Sequence, residues 1–260
     1  MPVVRPYSES TALIVGGTSG IGLASARALA HAGVPQILLV GRDQQRGETA
    51  VASVKEAYPL VDVEFASADA TRPDDVERAV AHAVERFGSL TIAVCATAAD
   101  HNPELLIQIE ASKLGRIASD LLVPPMLVCR AALPAMKEQG GGSIIIVASD
   151  AAKVATPGET VIGAAMAGIV MFTKAAALEA KRDGIRINTV TPSLVSGTMT
   201  TARITDDGFS KRLFAKAAQL AHLGVPEPDD VGALIAFLAG PSAGRMTGQA
   251  VSVNGGISVG

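Results

Sequence analysis

Residues 12–24, Ala-Leu-Ile-Val-Gly-Gly-Thr-Ser-Gly-Ile-Gly-Leu-Ala, constrain this chain more than any other stretch, because they demand a strand, a turn and a helix in immediate succession. Leu13, Ile14 and Val15 form an apolar run of strand length. Gly16, Gly20 and Gly22 then break the run with residues that adopt positive φ and put no side chain in the way. Over residues 21–32 the apolar spacing becomes helical, and it stops at Gly33. Bare backbone N–H groups at the positive end of a helix dipole form a site for a pyrophosphate. A purely structural turn is the competing explanation for such a glycine pattern, and the following segments decide between the two.

A second apolar strand at residues 36–40 ends at Gly41-Arg42. That is about 20 residues past the last glycine, where dinucleotide folds contact the ribose. An acidic side chain there would accept a hydrogen bond from a 2′-hydroxyl. Gly41 carries none, and Arg42 offers a fixed charge and a fork of donors suited to a 2′-phosphate. These residues favour NADP over NAD, the alternative being that Arg42 is a solvated charge at a helix start. Ser19 rather than a base precedes Gly20, so the phosphate preference rests on Arg42.

The same alternation continues along the chain. A polar helix is expected over 45–58 and a strand over 61–66, followed by Asp69-Ala70. Thr71 is expected to cap the next helix, with Pro73 early in it and Gly88 at its end. Strand 90–96, helix 119–139, strand 143–148, helix 158–182 and strand 186–190 follow, the last meeting Pro192. Residues 193–221 have mixed periodicity and read as a substrate lid beyond the carboxyl edge of a sheet. Helix 228–239 and strand 250–253 close the chain. The fold class expected is α/β: a doubly wound parallel sheet with helices on both faces, in one domain over residues 1–260.

Composition narrows the function further. A content of 48% apolar residues is ample for a large core, and only 18% are charged, so much helix surface is expected to meet other subunits. A net charge of −3 with no basic run argues against nucleic acid or an anionic membrane as a partner, and no apolar run is read as membrane-spanning. Cys95 and Cys129 have neither disulfide-framework nor metal-ligand spacing, which points to buried thiols in a reducing cytoplasm and to no metal.

The order of motifs resembles the short-chain dehydrogenase/reductase family across nearly all of residues 8–260. The matching pieces are Gly16-Gly17-Thr18-Ser19-Gly20-Ile21-Gly22, Asp69 after the third strand, Arg130-Ala-Ala-Leu-Pro134, Gly141-Gly-Ser-Ile144, Arg186-Ile-Asn-Thr-Val-Thr-Pro192 and residues 247–256. The resemblance implies a Rossmann-like sheet of about seven strands, a small-molecule substrate, NAD or NADP as coenzyme, and a homotetramer or homodimer. It places the coenzyme against Gly16, Thr18, Ser19, Gly20, Ile21, Gly22, Arg42, Asp69, Ala70, Ala96, Pro192 and Thr198. The motif after the fourth strand reads Cys95-Ala96-Thr97-Ala98, which keeps small residues but loses the family's side-chain hydrogen bonds.

The family's catalytic pattern of Asn, Ser, and Tyr followed four residues later by Lys is matched at Ser149 alone. The resemblance puts the Tyr on Ile162, the Lys on Met166 and the Asn on Leu121, beside Asp120. The chain's tyrosines, Tyr7 and Tyr58, lie elsewhere in the order. Ser149 reads either as a substrate-binding hydroxyl or as a strand-end hydrogen-bonding residue. Asp150, Lys153 and His101 are close enough in sequence to compensate, with surface charges and a loop histidine as the plainer readings. Three functions remain open: an atypical NADP-dependent oxidoreductase acting on a hydrophobic ketone or secondary alcohol, a non-redox isomerase, cyclase or dehydratase on the same scaffold, and a non-catalytic subunit pairing with an active homologue.

Overall fold

In a computed structural model the structure describes residues 4–206 and 208–259. Its strands and helices alternate as β1 (Thr11–Val15), α1 (Gly20–Ala32), β2 (Gln36–Gly41), α2 (Gln44–Ala57), β3 (Asp62–Ser67), α3 (Pro73–Phe87), β4 (Ile92–Cys95), α4 (Leu114–Glu138), β5 (Gly142–Val147), α5 (Thr160–Ala180) and β6 (Ile185–Pro192). The lid region then supplies α6 (Met199–Ile204) and α7 (Gly208–Leu220), and the chain closes with α8 (Pro228–Ala239) and β7 (Ala250–Val253). The strands form one seven-stranded sheet in the order β3-β2-β1-β4-β5-β6-β7, and every neighbouring pair is parallel.

The strands are near-continuous apolar runs because both faces of the sheet are covered. Side chains alternate between two cores. Leu13, Val15, Leu38, Val40, Ile144 and Ile146 belong to one, with residues of α3, α4 and α5. Ala12, Ile14, Ile37, Leu39 and Ile145 belong to the other, with residues of α1, α2 and α8. Helix ends follow the glycine punctuation, since Gly33 and Gly88 cap α1 and α3 in the left-handed conformation at φ 101° and 75°.

Several expectations are corrected. Arg72, not Thr71, is the N-cap of α3, because Thr71 gives both its backbone N–H and its hydroxyl proton to Asp69 Oδ1 at 2.9 and 2.8 Å. Helix α4 begins at Leu114, five residues ahead of the polar-to-apolar change at Ser119, continuing from a short 3-10 turn at Ala111–Lys113. The segment over residues 193–221, whose periodicity looked mixed, contains two helices meeting around Leu194, Ile204 and Phe214. Finally, α4 and α5 with their flanking turns are each long and apolar enough to cross a membrane by length and composition. Both helices pack on the sheet and on each other, yet Met171 and Leu178 of α5 stay 64% and 63% exposed, an apolar face suited to another subunit.

Helix α8 crosses α1 at close range. A Cβ added at Gly232 would stand 2.9 Å from the Ala24 carbonyl carbon and oxygen, so only glycine permits the approach. Gly232→Leu is expected to destabilise the protein by about 3 kcal/mol, from overpacking at this crossing. Urea unfolding with an unchanged midpoint would contradict it.

Candidate active site

The carboxyl ends of β1, β2 and β4 meet at the turn between β1 and α1. Gly16 and Gly20 take φ values of 82° and 49° there, and the N–H groups of Gly16 and Gly17 both donate to Val40 O, at 2.9 and 3.2 Å. A Cβ on Gly22 would lie 2.1 Å from Gly16 O, and one on Gly16 would lie 2.5 Å from Ala96 O. The helix therefore starts directly on the turn. Ser19 is the N-cap, in extended conformation at φ −164°, but its side chain makes no capping hydrogen bond to the first-turn amides. Those amides, the helix dipole and the absence of Cβ atoms make a cradle that fits a pyrophosphate.

The ribose end is built around Gly41. A Cβ there would meet Thr18 Cγ2 at 2.9 Å, so Thr18 occupies the space a larger residue would need. Arg42 is exposed beside it. Asp43 is the nearest acid, but its Oδ1 accepts from Arg46 N at 2.9 Å and its Oδ2 pairs with Arg46 Nε at 3.2 Å, so it serves as the cap of α2. Arg46 was not singled out from the sequence. The structure sets its guanidinium over this end, where Nη1 lies 3.5 Å from Met199 Sδ of α6. The capping pattern at residue 43 and the helical position of 46 were the available signals.

Asp69 stands at the end of β3 with its carboxyl held below the ordinary range, chiefly by the Thr71 N–H. Ala70 is buried beside it. Across the cradle, Ala96 continues β4 by donating to Val15 O at 2.8 Å, and Pro192 ends β6. Thr198 caps α6, accepting from Thr201 N at 3.1 Å, and its Cγ2 comes within 3.5 Å of a Cβ position on Gly20. Ile21 packs its side chain into the core beneath the cradle. The predicted coenzyme residues thus converge on one groove.

The positions to which the resemblance gives the family's Asn, Tyr and Lys hold apolar side chains. Met166 is buried, and Ile162 and Leu121 pack against the same core cluster. Ser149, at the end of β5, accepts from Ala151 N at 3.2 Å, while no acceptor for its own hydroxyl proton occurs among the described residues. Asp150 and Lys153 are not the surface charges expected of them. Asp150 is 5% exposed, with Oδ1 accepting from Ser252 Oγ at 3.3 Å and Oδ2 accepting from Asn254 Nδ2 at 3.0 Å and from Ser258 Oγ. Lys153 Nζ donates to Ser252 Oγ and lies 4.0 Å from Asp150. They hold the C-terminal strand against the Ser149 turn, which only the pairing of β7 with β6 brings about.

His101 is not an isolated loop histidine. Its Nε2 is 3.0 Å from Asp120 Oδ2, which also accepts from Arg116 Nε at 3.4 Å. Pro124 and Pro125 lie inside α4 and remove the amide donors that would otherwise reach the carbonyls of residues 120 and 121. Its loop is fastened on two sides, by Glu104 N to Gly158 O at 2.8 Å and by the fork of Arg203. That guanidinium donates to Asn102 Oδ1, Asp100 Oδ1 and Ala99 O at 2.9, 2.7 and 2.9 Å, clasping lid to loop.

Glu159, also unmarked by any motif, precedes α5 by one residue and sits at i−3 from Ile162 and i−7 from Met166, on their helical face. Burial pushes its carboxyl above the ordinary range, with a smaller opposing effect of the Thr156 hydrogen bond. Cys95 and Cys129 are both buried, and burial pushes the Cys95 thiol up to about 11, so neither is an activated nucleophile. No group of three or more metal-ligating side chains occurs among the described residues. Tyr7 is remote from the groove, donating its phenol proton to Ala236 O at 2.8 Å.

A parallel sheet whose strand order reverses at β1, with a bare glycine turn opening α1 at that switch point, defines the Rossmann-like dinucleotide-binding class. The chain belongs to the short-chain dehydrogenase/reductase family. A family model described as Enoyl-(Acyl carrier protein) reductase matches residues 15–258. D-beta-hydroxybutyrate dehydrogenase of Rhizobium meliloti (strain 1021) is 33% identical over 95% of this chain and 97% of its own, and Momilactone A synthase of Oryza sativa subsp. japonica is 32% identical over 98% and 92%. Among solved structures, a short-chain type dehydrogenase/reductase from Mycobacterium ulcerans superposes with a TM-score of 0.88 at 26% identity, covering 97% of this chain and 91% of that one. Levodione Reductase does so with a TM-score of 0.88 at 26% identity, covering 96% and 97%. Members of this family use NAD(H) or NADP(H), bind small-molecule substrates and typically form oligomers.

Two outcomes follow from this geometry. Gly22→Ala should abolish coenzyme binding in a fluorescence titration, because the methyl group would enter the Gly16 carbonyl; retained affinity would refute the close approach. Glu159, whose folded pKa is raised, binds more protons in the folded than in the unfolded state. Its effect is neutral below the ordinary glutamate pKa and costs stability as pH rises through the folded pKa. Glu159→Gln should therefore be more stable than the wild type at pH 8 and equal to it near pH 3 in urea titrations, a pattern that a pH-independent difference would rule out.

Proposed function

We propose that this protein is an NADP(H)-dependent oxidoreductase that acts on a hydrophobic ketone or secondary alcohol without the Tyr and Lys proton relay usual in its family. The observation that carries this reading is that Leu121, Ile162 and Met166, where the resemblance expects the catalytic side chains, are apolar and share one core cluster. They would give the substrate an apolar wall, and none of the three can move a proton. That curated relatives are a hydroxybutyrate dehydrogenase and a 3-oxoacyl reductase supports redox chemistry at a carbonyl or hydroxyl carbon.

The first-turn amides of α1 would hold the pyrophosphate and Asp69 the adenine end, while Arg42 and Arg46 would take a 2′-phosphate. The bound nicotinamide supplies or accepts the hydride. Ser149 has its hydroxyl proton free to donate a hydrogen bond to the substrate oxygen, but an unassisted hydroxyl is a poor proton donor at neutral pH. The protonatable groups bordering the loop and the start of α5 are the His101–Asp120 pair and Glu159, and solvent or a substrate hydroxyl can complete the path. Absence of a positioned acid typically costs on the order of 10²- to 10⁴-fold, whereas positioning alone is worth roughly 7–11 kcal/mol, so a slow reductase is the physical expectation.

A homotetramer or homodimer is proposed from the exposed apolar face of α5, and a cytoplasmic site of action from the two buried free thiols. The same apolar wall favours, as the second reading, a non-redox enzyme or a subunit that pairs with an active homologue. Calorimetry distinguishes them first. NADPH should bind more tightly than NADH, and Arg42→Ala or Arg46→Ala should each weaken NADPH by about tenfold, ~1.4 kcal/mol, without affecting NADH. A panel of bulky ketones should then consume the nicotinamide absorbance. Failure of both nucleotides to bind would overturn the proposal.

A further inference from the structure

A partly enclosed cavity lies at the other edge of the sheet. Residues around the amino ends of β1, β4, β5 and β6 and the connection from α8 to β7 surround a cavity of about 190 Å³. Its charged lining consists of Arg5, Lys181, Arg186 and Arg245, and no Asp or Glu is among the lining residues. That is a marked local excess in a chain with 25 acids and 22 lysines and arginines. The nearest acid in sequence to Arg186, Asp183, is paired with Lys137 at 3.4 Å.

Arg186 forms the inner side. Its guanidinium donates to the carbonyl oxygens of Leu238, Ala239, Gly240 and Met246 at 2.6, 2.9, 3.3 and 3.4 Å, and among the described residues no carboxylate pairs with it. Burial pushes its pKa down to about 10, and the opposing ionisable group is Tyr7 alone. Arg5 approaches from the N-terminal segment. Its Nη2 donates to Gln139 O at 2.6 Å, while its Nε is buried and has no partner. The lining hydroxyls are already used, Ser143 Oγ donating to Leu238 O at 3.2 Å and Thr91 Oγ1 to Thr11 O at 3.2 Å. The unused capacity of the cavity is therefore cationic. Carbonyl dipoles satisfy the donors of Arg186 without neutralising its charge, and a buried unpaired charge is costly.

We propose that this cavity binds a small phosphorylated anion at a site separate from the coenzyme groove, with Arg5 and Arg186 in its depth and Lys181 and Arg245 at its mouth. Arg5 has an unpartnered Nε to donate, Arg186 adds its unneutralised charge, and two exposed cations draw the anion in. The volume equals that of about six waters at ~30 Å³ each, room for a phosphate and a short attached group. Occupancy would tie the N-terminal segment to β6 and to the α8–β7 connection, so the ligand is expected to stabilise the edge strand β7.

The test is calorimetry and thermal unfolding of the full chain with inorganic phosphate at constant ionic strength, with and without NADPH. One saturable site that raises the unfolding temperature and is unaffected by NADPH is expected. Lys181 and Arg245 are exposed, so Lys181→Glu and Arg245→Glu should fold normally, and each should weaken phosphate binding by at least about tenfold. The Arg42→Ala variant should bind phosphate like the wild type. The proposal is overturned if chloride at equal ionic strength gives the same stabilisation, if either charge reversal leaves phosphate affinity unchanged, or if NADPH or Arg42→Ala abolishes the binding and so assigns it to the coenzyme groove.

Discussion

The approach of α1 to the turn after β1 governs the rest of this structure. With no Cβ on Gly22, the helix backbone rests on the Gly16 carbonyl, and with none on Gly16, that turn rests on the Ala96 carbonyl. The same turn donates two hydrogen bonds to Val40 O. One glycine-rich segment therefore joins β1 to both neighbouring strands, β2 and β4, at the point where the strand order reverses. Helix α1 is aimed with its amide groups at the mouth of the groove, and α8 can lie against it because Gly232 keeps the crossing close. Electrostatics at the helix start and close packing behind it are one geometric fact seen from two sides.

Across the groove the physical character changes. The glycine turn offers fixed dipoles, Arg42 and Arg46 offer charge, and Leu121, Ile162 and Met166 pack in one apolar core cluster. Dryness strengthens any remaining hydrogen bond, which gives the unshared hydroxyl proton of Ser149 more weight than it would have in water. It also raises the carboxyl of Glu159, turning a side chain that would be a spectator anion at the surface into one that can hold a proton. The Arg203 clasp from α6 and the pairing of loop residue His101 with Asp120 of α4 add polar groups at this end of a scaffold whose central strands are largely apolar.

Much of this was legible along the chain because it is encoded locally. Apolar runs, glycine stops and the switch from a period of two to a helical period place β1 through β6 and their helices within a few residues. The glycine cradle is contiguous, so its chemistry is visible in a dozen residues. The less legible parts were those in which a residue's surroundings come from far away. Asp150 and Lys153 looked like surface charges because their partners, Ser252, Asn254 and Ser258, are about a hundred positions away. Arg46 looked like a helix-surface residue until α6 was folded over it. The lid hid its two helices because each is short and buries its face in a small local cluster instead of the main core.

Sequence by itself determined the alternating parallel architecture, the glycine turn that opens α1, and the burial of both thiols, since each depends on residue type and near-neighbour spacing. Tertiary structure alone decided which charges are buried, which histidine has a carboxylate partner, and where four basic residues from separate segments enclose a cavity without an acid. The physical reason is range. Backbone conformation answers to side chains within a turn or a strand pair, whereas desolvation and charge pairing answer to whatever the fold brings within a few ångströms, at any distance along the chain.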